Sequence, residues 1–151
     1  MRNVTSFWTG AVCAALLSMG SVGSALADEY PLVAGDFWDL SAIKIKDGGD
    51  LAYATFIANE WRADQEFAKS KGWIKGYHVL SNTWSRHDEA DLYLIVVYEK
   101  IPTSAESEAR SDEYLAWKKK TNAQLSKESG NRVEIRELFG TELLTELKFR
   151  K

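Results

Sequence analysis

The chain has 151 residues, 45% hydrophobic and 27% charged, with 19 Lys and Arg against 22 Asp and Glu for a net charge of −3. That length gives a single domain, and a mildly acidic surface of mixed sign argues against nucleic acid or an anionic membrane as the main partner. One cysteine, Cys13, and two histidines, His78 and His87, leave no metal-ligand spacing such as HxxxH or HExxH, so no metal is expected.

The first residues read as an address. Arg2 is the only charge before Asp28, residues 7–19 are largely apolar, and Ala25-Leu26-Ala27 forms an A-x-A site. That is the layout of a secretory signal peptide cleaved after Ala27. Ser18, Gly20, Ser21, Gly23 and Ser24 interrupt the apolar stretch, which therefore falls short of the about 20 residues that a membrane span needs. The expected division is a signal peptide at 1–27, an extended lead-in at 28–36 and one α+β domain at 37–151. Export to the periplasm or beyond follows, with no membrane contact after cleavage. Cleavage removes Arg2 and Cys13, leaving 124 residues, a net charge of −4 and no thiol. A domain of that size buries enough surface to fold without disulfides.

Residues 37–46, FWDLSAIKIK, alternate as a strand, with Trp38, Leu40 and Ala42 on one face and Asp39, Ser41, Ile43 and Ile45 on the other. Asp47-Gly48-Gly49-Asp50 stops it, and Asp50 suits the N-cap of a helix over 51–71. Tyr53, Phe56, Ile57, Trp61, Phe67 and Ala68 form its apolar stripe, and Gly72 terminates it. Glu60 and Asp64, one turn apart beside the stripe, fit either a solvated margin or a carboxylate pair at a pocket mouth. Residues 74–84 and 92–98 read as two strands folded back around a polar turn at 85–90; the second, Leu92-Tyr-Leu-Ile-Val-Val-Tyr98, is apolar on both faces. Ile101-Pro102 ends the ribbon, and Thr103-Ser-Ala-Glu106 has the form of a capping box opening a helix that runs to about 128, with Ser111 as the candidate point of a break, and is closed by Gly130. Residues 133–139 alternate as a strand, and 141–149 fit either a strand or a helix.

The order strand, helix, strand, strand, helix, strand is the βαββαβ, ferredoxin-like pattern: a four-stranded antiparallel sheet with both helices on one face. Five tryptophans after the signal and a strand apolar on both faces argue against a bare second face, so a homodimer pressing two such faces together is expected.

In element order and size, residues 37–149 resemble the dimeric α+β barrel superfamily, which includes antibiotic-biosynthesis-type monooxygenases and haem-degrading relatives. Through Glu60-Trp61-Arg62 and residues 65–73, QEFAKSKGW, the chain also looks like a group of small exported bacterial proteins of unassigned activity. The superfamily resemblance implies a ligand held between sheet and helices or inside the barrel. Haem-degrading members carry a histidine on the second helix; no histidine follows His87, so the resemblance implies no haem and no other cofactor.

The chemistry left open is narrow. There is no phosphate-cradling glycine loop and no G-x-S-x-G nucleophile elbow. The strand face carrying Gly76, His78, Leu80, Asn82 and Trp84 is the candidate site. On this reading His78 is the catalytic acid/base candidate, because imidazole titrates near neutral pH. Trp38, Asp39, Asn82 and Trp84 are the ligand-binding candidates. Three functions remain: a binder of a small apolar or aromatic ligand, a cofactor-independent monooxygenase- or isomerase-like enzyme using His78, and a module that binds a protein partner through its aromatic surface.

Overall fold

A computed structural model describes residues 30–151, so the expected signal peptide lies outside the described residues. Strand β1 (Leu32–Ile45) leads into a continuous helical rod. The rod runs from α1 (Asp50–Phe56) through a π-helical turn (Ile57–Trp61) to α2 (Arg62–Ser70). Strands β2 (Gly76–Ser81) and β3 (Leu92–Tyr98) follow, then α3 (Ser104–Lys118), α4 (Asn122–Asn131), a 3-10 turn (Arg132–Glu134) and β4 (Arg136–Phe149). The strands make one antiparallel sheet in the order β2-β3-β1-β4. The fold is α+β, as the alternation of periods implied.

Register assigns the faces. Ile43 pairs with Leu92, Ser41 with Leu94 and Asp39 with Val96, while Ser81, Val79 and Tyr77 oppose the same β3 residues from the other side. These positions share the face on which the helical rod lies, because the core joins Ile43 and Leu94 to Tyr53, with Phe56, Ile57 and Trp61 packed around them. Trp38, Leu40 and Ala42 of β1, Tyr93, Ile95 and Val97 of β3, and His78 and Leu80 of β2 occupy the opposite face. The period-two reading of β1 therefore matches the observed faces. Away from the sheet, Phe67 of α2 stacks on Trp117 of α3 at 4.3 Å, and meets Trp73 edge-on at 5.3 Å; this aromatic cluster ties the two helices together.

Several boundaries differ from the sequence reading. Gly49, not Asp50, occupies the N-cap of α1. A Cβ at residue 49 would sit 2.3 Å from the Ile135 carbonyl oxygen, so only glycine fits where the chain turns past β4. Gly72 does end the rod: its φ is +69°, and the Trp73 amide donates to the Ala68 carbonyl at 2.9 Å, the six-to-one bond of a Schellman motif. The Thr103–Glu106 capping box is present, but α3 passes through Ser111 unbroken and the helix divides at 119–121 instead. Lys119 adopts a left-handed conformation after α3, and Thr121 and Gln124 form a second capping box that starts α4. Gly130 lies within α4, one residue before its end.

The expected strand at 133–139 is also displaced. Its first two residues fall in the 3-10 turn and Ile135 just after it, and β4 then runs unbroken for 14 residues through the stretch that had fitted either strand or helix. It can do so because β1 is longer than its alternation suggested. The last part of the expected lead-in belongs to β1, where Leu32 pairs with Phe149 and Ala34 with Leu147. Gly35 accommodates this pairing beside a register shift, since a Cβ there would come within 2.7 Å of the Glu146 carboxylate.

Candidate functional site

Of the residues singled out from sequence, the fold brings two together and separates the rest. Trp38 and His78 share the face away from the helices, with ring centroids 5.7 Å apart. Asp39, one residue from Trp38, points to the helix side. Strand β2 ends at Ser81, so Asn82 and Trp84 leave the ladder and do not continue the face of His78. Trp84 is 88% exposed in the β2–β3 loop. Asn82 holds that loop together: its side-chain amide donates to the Ala90 carbonyl at 3.1 Å, and its oxygen accepts from the Trp84 amide at 3.3 Å. Asp64 forms an ion pair with Lys118 on α3, joining the helix pair.

A cleft of about 510 Å³ opens between the helical rod and the β2–β3 ribbon, on the helix side of the sheet. Ala54, Ile57 and Ala58 line it from the rod, Val79 and Ser81 from β2, Leu92 from β3 and Ile45 from β1. Its origin is visible in the residue types. Ala54 and Ala58 lie four apart, on one face of the rod, and their methyl groups leave open a space that longer side chains would fill. The π-helical turn supplies Ile57 and Ala58. A π turn holds an extra residue, which rotates the apolar stripe: Ile57 packs on the core while Trp61 meets the Tyr77 ring edge-on at 5.3 Å. Such turns recur at functional sites because they re-aim side chains without ending the helix.

Asn82, Ser85 and Asp91 close one end of the cleft. Asp91 is the keystone of the loop. One carboxylate oxygen accepts from the Ile45 amide at 2.9 Å; the other accepts from the Lys44 ammonium at 3.0 Å and the Ser85 hydroxyl at 2.7 Å. Its backbone amide donates to the Ile43 carbonyl, and its carbonyl accepts from the Asn82 amide, each at 2.8 Å. Burial pushes this carboxyl up, but the Ser85, Ile45 and Lys44 donors outweigh it and hold the group below its ordinary value. Asp91 is thus an ionised group already occupied by the protein. The polar groups with capacity left for a guest are the Ser81 hydroxyl and the Asp50 carboxylate in the first helical turn. The arrangement suits a mostly apolar body with one or two polar contacts at the rim.

Sequence reasoning missed Ala54, Ile57, Ala58 and Asp91. The alanine pair is a weak signal alone, since exposed helical alanine is ordinary. Asp91 carried a better one: a carboxylate immediately before an apolar strand, next to a polar loop, is placed to satisfy loop amides. Among the described residues no group of three or more His, Cys, Asp or Glu could hold a metal ion, and no helix is long and apolar enough to cross a membrane. Comparison of the chain with protein-family models, with curated proteins and with solved structures gives no match.

Proposed function

We propose that the protein is an exported binder of a small apolar or aromatic molecule, and that the cleft between the helical rod and the β2–β3 ribbon is where it holds that molecule. The observation that carries this reading is the cleft's volume of about 510 Å³ with Ile45, Ala54, Ile57, Ala58, Val79 and Leu92 in its walls. That size is ordinary for a small-molecule site, and the apolar walls supply the transfer free energy. His78 lies on the opposite face of the sheet, so the enzymatic alternative with His78 as acid/base gains no support from the cleft. Export rests on the A-x-A site at 25–27, and a mature chain starting at Met1 would refute it.

The same reading extends to assembly. The element order and the strand order β2-β3-β1-β4 fit the ferredoxin-like pattern, and the sheet face away from the helices carries Leu80 and Leu144 half exposed beside Trp38 and Leu40. A second copy pressing the same face against this one would bury them and complete a dimeric barrel. Light scattering should then give twice the chain mass, falling to the monomer on Leu144→Lys; a wild-type monomer across a hundredfold concentration range would remove the barrel.

The binding reading is tested on natively purified protein. Small molecules released by denaturation, identified by mass spectrometry, should include an apolar or aromatic compound. Ala58→Trp, which fills the cleft, should lose it while keeping the wild-type thermal midpoint. Consistently empty protein, or retention of the compound by a folded Ala58→Trp variant, would overturn the proposal.

A further inference from the structure

A second cavity, about 430 Å³, lies on the helix side of the sheet and shares no lining residue with the first. Three strands lay its floor. Asp39 comes from β1, Tyr98 from β3, and Thr141 and Leu143 from β4, with Asp39 directly opposite Leu143. Ile101 and Pro102, in the link from β3 to α3, form its rim. No residue of the rod lines this cavity.

Asp39 is unusual among the carboxylates here. It accepts no hydrogen bond and has no ion-pair partner among the described residues, and desolvation alone holds its carboxyl above the ordinary value. The Tyr98 phenol beside it is also pushed up, by burial first and then by the Asp39 charge, with Arg110 acting in the other direction. Arg110 does not neutralise the pair: its guanidinium donates to the Trp73 carbonyl at 3.5 Å and lies over the Trp73 ring. No Lys or Arg lines the cavity. A half-buried carboxylate with no donor is costly, and the protein provides nothing nearby that offsets the cost.

We propose that this cavity binds a small organic cation: an amine whose ammonium group meets Asp39 and whose apolar body lies against Ile101, Pro102 and Leu143. The ammonium supplies the donors the carboxylate lacks, and the Tyr98 and Thr141 oxygens accept its remaining N–H bonds. A neutral guest would leave the carboxylate unpaired, and an anion would meet like charge. The site is independent of the apolar cleft, and either can stand without the other.

Calorimetric titration of the protein with benzylamine tests this, with benzyl alcohol and benzoate as neutral and anionic controls of the same shape. Benzylamine should bind at least about tenfold more tightly than benzyl alcohol, the increment of one charge-assisted hydrogen bond, and benzoate should not bind. Asp39→Asn, which keeps the side-chain shape, should remove that advantage. Leu143→Lys, at a position that is exposed, should abolish benzylamine binding by placing an ammonium of the protein's own against Asp39. Ala58→Trp should leave benzylamine binding unchanged, which separates this site from the first cleft. Thermal midpoints establish that each variant is folded. No binding at millimolar benzylamine, equal binding of benzyl alcohol, or affinity unaffected by folded Asp39→Asn and Leu143→Lys would each overturn the proposal.

Discussion

The indole of Trp38 and the imidazole of His78 stack with planes 12° apart, although β3 runs between the strands that carry them. Trp38 stands beside Val97 and His78 beside Ile95, and Gly76, across from Val97 on β2, leaves room for the rings to lean together. Ile95 and Val97 are only 3% and 7% exposed, on the face away from the helical rod. The ring pair acts as their roof. Replacing either ring by Ala should uncover them, and a double-mutant cycle on the denaturation midpoint should return a coupling of about 0.5–1.5 kcal/mol for the pair. Additive single effects would show that the stack contributes nothing beyond the area each ring covers.

Asp91 and Glu106 should both make stability depend on acid pH. Each has a folded-state pKa below its ordinary value: Asp91 through the donors of Ser85, Ile45 and Lys44 that outweigh its burial, and Glu106, brought to about 2, through the Lys100 ammonium and then the Thr103 amide and hydroxyl. A depressed pKa means the stabilisation is fully present above the unfolded values of 3.8 and 4.5 and is lost as pH falls through the folded ones. Unfolding midpoints measured between neutrality and strong acid should therefore fall below about pH 4.5. Asp91→Ala should flatten part of that fall and cost about 1–3 kcal/mol at neutral pH, because it strips the Ile45 amide and Ser85 hydroxyl of their acceptor. An unchanged profile in the variant would show that the loop does not depend on this carboxylate.

Lys119 separates α3 from α4 with φ +54° and ψ +38°, a left-handed conformation that costs a residue bearing Cβ about 1–2 kcal/mol. Glycine takes it freely but loses more chain entropy on folding. Lys119→Gly should raise stability by about 0.5–1 kcal/mol, while Lys119→Val should lower it. A loss on Lys119→Gly, read from the denaturation midpoint, would contradict the geometry.

The parts of this fold legible in the sequence are those written in local chemistry. The apolar run at 92–98, the Gly72 stop and the Thr103–Glu106 box each depend on residues within a turn or two, and each appears where the sequence places it. The helix break was equally local but was looked for near Ser111: Thr121 and Gln124 repeat the capping-box spacing, while the lysine run before them reads as a solvated helical face. The extra length of β1 and β4 was not local at all. Leu32 is a strand residue because Phe149 lies across from it, a pairing between the two ends of the described residues that no window detects. The candidate site residues are spread over two faces and a loop for a related reason. Period two already separates Trp38 from Asp39, and the end of β2 at Ser81, set by the loop that Asp91 organises, removes Asn82 and Trp84 from the face of His78.

That long-range pairing has a practical consequence. The Arg150 amide donates to the Pro31 carbonyl at 2.8 Å, and the Arg150 guanidinium donates to the Tyr30 carbonyl at 3.2 Å, so residues 30 and 150 lie side by side at one corner of the sheet. A short flexible linker could join them without crossing the molecule, which makes the domain a candidate for circular permutation. New ends opened between Arg86 and Asp88, in the exposed part of the β2–β3 loop, would spare β1, β4 and every strand pairing. They would loosen the loop that closes one end of the apolar cleft and touch no residue lining the Asp39 cavity. Such a permutant would perturb the first cavity and not the second by connectivity alone, with no side chain changed.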